Sequence, residues 1–180
     1  MRKVVVTMFM SLDGVMEAPE KWSFPYWNDE IARFKTDELF ASGAHLLGRV
    51  TYDGFAAAWP GRKDDTGFAE RMNSLPKYVV STTLKRADWS GSTIIREGIA
   101  QEVSTLKQQP AGDILVAGSA TLVRELTRLH LVDEYRFLVY PIVLGSGKHV
   151  FADQSQVGLK LSESKPFGSG VVLLRYQLDK

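Results

Sequence analysis

Two four-residue stretches of this chain stand in the same setting, each beginning with glycine and ending with threonine. Gly48-Arg49-Val50-Thr51 follows the short apolar run Ala44–Leu47, and Gly118-Ser119-Ala120-Thr121 follows Ile114–Ala117. In each, a glycine ends what reads as a buried strand, and small or hydroxyl residues open what reads as a helix. Such a step leaves the first N–H groups of the helix unpaired and aimed past the strand end, where their partial positive charge favours an anion. Glycine lets a ligand approach the backbone closely. Two such steps in one sheet can share an extended anion such as a pyrophosphate, and Arg49 adds a planar cation suited to phosphate. Ser81-Thr82-Thr83, after a third apolar run, places hydroxyls where open α/β sheets bind ligands. The plainer alternative is that the glycines make tight connections, the hydroxyls cap turns and Arg49 is a solvated surface residue. A single glycine is a weak motif; its repetition in the same setting is what favours a binding role.

Other chemistry is excluded by what is missing. Gly145-Ser146-Gly147 lacks the third glycine of a dinucleotide fingerprint and follows the sixth strand rather than the first. Gly147-Lys148 has no upstream P-loop glycine, and His149 stands where Ser or Thr is required. His45, His130 and His149 show no metal-ligand spacing, so no metal site is expected, and no GxSxG elbow occurs. The chain has no cysteine, which removes thiol catalysis and cysteine-bound metals and fits a reducing compartment, the cytoplasm.

The elements that must position these groups follow from periodicity. The 180 residues are 44% apolar and 24% charged with net charge +1, which suits one domain over residues 1–180 and gives no basic surface for nucleic acid. Met1–Met10 begins with a basic pair and an apolar run, but it leads straight into Ser11-Leu12-Asp13-Gly14 and reads as a strand over Lys3–Met10, not a signal peptide. No apolar run approaches the roughly 20 residues of a membrane helix. Val15–Trp27 has no period and carries two prolines and four aromatic residues, which suits a pocket wall. Asn28 caps a helix to about Ser42, with Asp29 and Glu30 in its first turn and Gly43 at its end. Further elements are a short helix over Thr66–Ser74, strands at Tyr78–Val80 and Thr93–Ile95, and a helix marked by Ile99, Val103 and Leu106. After Gly118, Leu122, Val123, Leu126 and Leu129 form one helix face, with Ser119 as N-cap. A strand over Glu134–Val143 and a hairpin of Leu159–Ser164 and Val171–Leu178 complete the chain. The count is about eight strands and four helices in three α/β/α layers, with a mostly parallel sheet and an antiparallel C-terminal hairpin.

The order of these elements, with Ser11-Leu12-Asp13-Gly14, Leu46–Tyr52, Lys77–Thr83, Ile114–Leu122 and Pro141–Phe151, resembles the dihydrofolate reductase fold family over nearly the whole chain. Pro141–Phe151 and the SLDG start are more similar to the branch of the C-terminal reductase domain of riboflavin biosynthesis than to dihydrofolate reductase itself. The resemblance implies that Gly48, Arg49, Val50 and Thr51 with Gly118, Ser119, Ala120 and Thr121 hold the NADPH pyrophosphate. It implies that Arg49, Thr82 and Thr83 meet the 2′-phosphate or its neighbours, and that backbone near Phe9 faces the nicotinamide. Matching Phe34-Lys35 to the family's Phe-Lys puts Glu30 in the column of the acid that holds the pterin, with Asp29 beside it; Asp13 at the pocket mouth is the other candidate. For these three acids, helix-dipole complement and turn formation are the alternative roles.

Two departures stand out. Ala117-Gly118 replaces the family's Gly-Gly pair, which leaves any cis peptide there in question. Leu75-Pro76-Lys77 stands where an arginine clamps folate's carboxylate tail, so folate is not the expected substrate. The expectation is an NADPH-dependent reductase, 5-amino-6-(5-phosphoribosylamino)uracil reductase-like or dihydrofolate reductase-like, acting on a small pterin- or pyrimidine-like molecule. The alternative is a non-catalytic NADPH-binding module. Related branches dimerise, which makes the sixth strand and its following loop a candidate two-fold interface in a homodimer.

Overall fold

The run Val4-Val5-Val6 is β-branched and followed by Thr7-Met8-Phe9-Met10, and in a computed structural model that describes residues 1–151 and 156–179 it lies at the middle of the sheet. This strand, β1 (Val4–Ser11), pairs in parallel with β5 (Asp113–Val116) on one side and β6 (Glu134–Tyr140) on the other. Beyond β5 come β2 (Ser42–Gly48), β3 (Lys77–Val80) and β4 (Ser92–Ile95), all parallel. Beyond β6 come β8 (Val172–Leu178), antiparallel to β6, and β7 (Leu159–Pro166), antiparallel to β8. The eight-stranded order is therefore β4-β3-β2-β5-β1-β6-β8-β7. A strand buried on both faces needs apolar residues at every step rather than alternate ones, which is why Val4, Val5 and Val6 are all fully buried.

Five α-helices occur among the described residues, one more than the sequence count: α1 (Asp29–Ala41), α2 (Arg49–Ala58), α3 (Phe68–Ser74), α4 (Ile99–Gln108) and α5 (Ala120–Arg128). Residues of α1, α2 and α3 pack with Leu47 and Val79 on one face; residues of α4 and α5 pack with Val4, Val6 and Met8 on the other. No helix of the described residues is long and apolar enough to cross a membrane.

Two local expectations need correction. Gly43 does not terminate α1: Ser42 is the C-cap and Gly43 already lies in β2. Its role is close approach, because a Cβ there would stand 2.7 Å from both the nitrogen and the oxygen of Gly112. The sixth strand stops at Tyr140 instead of continuing to Val143, since the Asp13 carboxylate takes the N–H groups of Leu144 and Gly145 at 3.1 and 2.8 Å and draws that segment toward the first loop. β6 is bonded on both sides, and Val143 in the loop after it is exposed.

Candidate active site

At the C-terminal ends of β2 and β5 the two glycine junctions meet. The strands are neighbours, so Gly48 and Gly118 come side by side, and Gly48 N–H donates to the Gly118 carbonyl at 3.0 Å. The fit is interlocked: a Cβ on Gly48 would strike Ser119 Oγ, and one on Gly118, whose φ is +131°, would lie 2.7 Å from Thr51 Oγ1. The Gly118–Ser119 peptide is cis. The helices that start here are capped differently. Ser119 Oγ accepts from Leu122 N at 3.4 Å, whereas Gly48, the N-cap of α2, has no side chain to offer and leaves the N–H groups of that first turn without a side-chain cap. Arg49, Val50 and Thr121 are exposed beside them and Ala120 is buried. Arg49 pairs with Asp53 at 3.1 Å, one turn along α2. Because Gly48 is also in register with Val80, the turn after β3 adjoins this corner. Ser81 Oγ accepts from Thr83 N and Leu84 N at 3.2 and 2.9 Å, and that turn presents Thr82 and Thr83 to solvent. All ten residues expected to bind the cofactor thus fall at three adjacent strand ends.

The acids lie on the other side of β1. Glu30, in the first turn of α1, accepts from Gly168 N at 2.6 Å and from Asn28 Nδ2 at 3.3 Å, which ties the start of α1 to the turn between β7 and β8. Asp29 precedes it, exposed. Asp13 accepts from Ser11 Oγ at 2.6 Å as well as from Leu144 and Gly145. The Ser11 hydroxyl and those two backbone N–H groups hold its carboxyl down at about 2. Asp13 is therefore an anion that straps two loops together, and it shares none of its hydrogen-bond partners with Glu30.

Between these regions lies an aromatic group. Phe9 stands 5.3 Å from Tyr140 and 6.3 Å from Trp27, measured between ring centroids, and Trp22 and Tyr26 pack edge-on against Tyr140 at 5.3 and 5.9 Å. The loop over Val15–Trp27 thus does two things: Trp22 seals the core, while Trp27 and Phe24 remain 42% and 66% exposed.

The sequence reading missed a buried ionic cluster under this region. Glu38 of α1 has a side chain only 1% exposed. Its Oε2 accepts from Thr7 Oγ1 at 3.0 Å and from Lys35 Nζ, and its Oε1 pairs with Arg136 at 3.2 Å. Arg136 also binds Glu134 at 2.6 Å, and Glu134 reaches Lys3 at 3.6 Å. Lys35 Nζ donates to Thr7 Oγ1 at 3.0 Å and stands 5.6 Å from the Phe9 ring centroid. One signal was available: Glu38 lies seven residues after Ile31 and next to Leu39, on the stripe of α1 that faces the sheet, where a charge must be paired to be tolerated. No cluster of metal-ligating residues occurs among the described residues.

Comparison with known proteins places this geometry. The profile of the RibD C-terminal domain family matches residues 2–173. The uncharacterized protein YyaP of Bacillus subtilis (strain 168) is 33% identical over 182 residues, covering 97% of this chain and 94% of that protein; YwjB of the same organism is 30% identical over 177 residues, covering 96% of each. Among solved structures, a Shewanella sp. PV-4 protein assigned to riboflavin biosynthesis superposes with a TM-score of 0.80 at 16% identity, covering 99% of both chains. Dihydrofolate reductase from Enterococcus faecalis, complexed with NADP(H), superposes with a TM-score of 0.65 at 13% identity, covering 99% of this chain and 97% of that one. A Thermotoga maritima deaminase/5-amino-6-(5-phosphoribosylamino)uracil reductase gives a TM-score of 0.68 at 17% identity, covering 99% of this chain and 57% of that one.

Proposed function

The chain belongs to the RibD C-terminal domain family, and on that footing we propose that it is an NADPH-dependent reductase of a small pterin- or pyrimidine-like molecule, in the chemical class of 5-amino-6-(5-phosphoribosylamino)uracil, acting in the cytoplasm. The family and the fold support a reductase role. The observation that carries the cofactor assignment is the interlocked pair of junctions. Two helices begin side by side there, one of them without a side-chain cap, and glycine backbone leaves room for a diphosphate.

In this reading Gly48, Val50, Thr51, Gly118, Ser119, Ala120 and Thr121 hold the pyrophosphate, while Arg49, Thr82 and Thr83 take the 2′-phosphate. A bound nicotinamide cofactor supplies hydride, and the protein positions it against the substrate and excludes water. Phe9 lies at the nicotinamide end. Glu30, with Asp29 beside it, orients the substrate's polar edge. Folate is disfavoured by the residue at the clamp position: Lys77 is fully buried, its Nζ donating to the carbonyls of Asn73 and Ser90.

Titration with NADPH and with NADH, followed by nicotinamide fluorescence, tests this in wild type and Arg49→Ala. The expected result is tight NADPH binding, weaker NADH binding, and a loss of roughly 1.5–3 kcal/mol for NADPH in the variant, or about tenfold to a hundredfold in affinity. No binding of either nucleotide overturns the reading. NADPH binding without turnover of the aminouracil or of any pterin offered leaves the non-catalytic module in its place.

A further inference from the structure

Reduction of a C=N or C=O bond needs a proton as well as a hydride, and the three carboxylates first considered are poorly placed to give it. Asp13 is strapped to Ser11, Leu144 and Gly145 and held ionised. Glu30 accepts from Gly168 and Asn28, and Asp29 is exposed at the first position of α1. Two proton-bearing side chains stand against Phe9, and they are Lys35 and Tyr140. The Tyr140 hydroxyl has no partner among the described residues, is sealed beneath Trp22 and Tyr26, and is pushed by burial above the ordinary phenol range. Lys35 is different: its side chain is 15% exposed, enough to exchange protons with water.

We propose that Lys35 is the proton donor of the reductase site, with Thr7 and Glu38 as the residues that position it; the assignment rests on the reductase reading given above. An ammonium has three N–H donors. Thr7 Oγ1 and Glu38 Oε2 take two of them, and Thr7 in turn donates to Glu38, which closes a triangle around Nζ. The third donor is left for the heteroatom of the substrate's reducible bond. Lys35 Nζ is itself the cation that faces that heteroatom, and a positive donor held in place by Thr7 and Glu38 stabilises an electron pair arriving there. When the carbon of the bond takes up hydride from a reduced nicotinamide, its π pair passes to the heteroatom. One N–H bond of Lys35 then breaks to protonate it, and the resulting amine regains a proton from water.

The test compares wild type with Lys35→Met, Lys35→Arg and Thr7→Val in three measurements: NADPH affinity by fluorescence, equilibrium affinity for 5-amino-6-(5-phosphoribosylamino)uracil in the presence of NADP+, and turnover. NADPH affinity stays unchanged throughout. Lys35→Met weakens pyrimidine binding about tenfold and lowers kcat about a hundredfold or more. Lys35→Arg restores the binding but not kcat, because a guanidinium keeps its protons. Thr7→Val, which frees Nζ without removing it, lowers kcat by about tenfold. Wild-type kcat in Lys35→Met, or recovery of kcat in Lys35→Arg, overturns the Lys35 assignment and leaves the reductase reading standing. If Lys35→Met does not fold, wild-type kcat in Thr7→Val has the same consequence. A wild-type protein that binds NADPH but turns over neither the aminouracil nor any pterin offered overturns both.

Discussion

The corner where β2 and β5 end and the ionic cluster between β1, β6 and α1 are built in opposite ways. The first is made of backbone: two glycines, two helix starts and a carbonyl–amide contact between them. Its side chains are small, and the one large group, Arg49, is exposed and loosely paired with Asp53. The second is made of four side chains from three distant elements, Thr7 of β1, Lys35 and Glu38 of α1 and Arg136 of β6, locked by charge. A backbone site is fixed by sterics and changes little from one ligand to another of the same class. A side-chain site is fixed by pairing, and each partner removed exposes the others to an unpaid desolvation penalty. The first arrangement suits a constant cofactor and the second a variable substrate.

The comparison breaks first where the charges are. Glu38→Gln leaves Lys35 and Arg136 without their shared carboxylate, and urea unfolding should show a loss of about 3–5 kcal/mol, while NADPH affinity, which we assign to the other corner, should hold. A loss below about 1 kcal/mol would mean the cluster is well solvated in solution. The second effect is acid sensitivity. His45, on β2 between the two regions, is buried with no hydrogen-bond partner among the described residues. Burial first, then the cations Lys77, Lys35 and Arg71, lower its pKa from 6.5 to about 3. Above pH 6.5 the group is neutral in both states and costs nothing; below it the unfolded chain binds a proton that the folded one refuses, so stability falls as pH falls. Between pH 6.5 and 5 the loss should reach about 2 kcal/mol, and His45→Gln should flatten that slope; a slope unchanged in the variant assigns it to other groups. The smallest effect on stability belongs to the backbone corner. Gly118→Ala forces a Cβ toward Thr51 at a positive φ, at roughly 1–2 kcal/mol, yet it should weaken NADPH binding more than Glu38→Gln does. Equal NADPH affinities in the two variants would erase the distinction between the corners.

This contrast also explains what could be read from the chain alone. The junctions were legible because strand, glycine, cap and helix follow one another within about ten residues, and each step has a local signature. The central sheet and the terminal hairpin were legible for the same reason. The ionic cluster was not, because its meaning depends on which residues the fold brings together: Thr7 and Arg136 lie on neighbouring strands but 129 positions apart in the chain, and only the misplaced charge of Glu38 in an apolar stripe hints at it. Gly43 and the end of the sixth strand were misjudged similarly. A glycine after a helix ordinarily means a cap, and only the backbone of Gly112 pressing on it reveals the other reason. Val143 and Leu144 look like strand, and only Asp13, far away in sequence, shows why they are not.

The central position of β1 has a consequence for how the molecule comes to exist. It is the first strand in chain order, yet both of its neighbours, Asp113–Val116 and Glu134–Tyr140, emerge more than a hundred residues later. During synthesis its row of valines has no partner, and both its edges stay open to other chains for several seconds at ribosomal rates. Folding must close these large loops before the central pairing forms, which makes it slow for a chain of this size. The segment that gives the finished protein its spine is therefore the one that most needs shelter before the rest arrives.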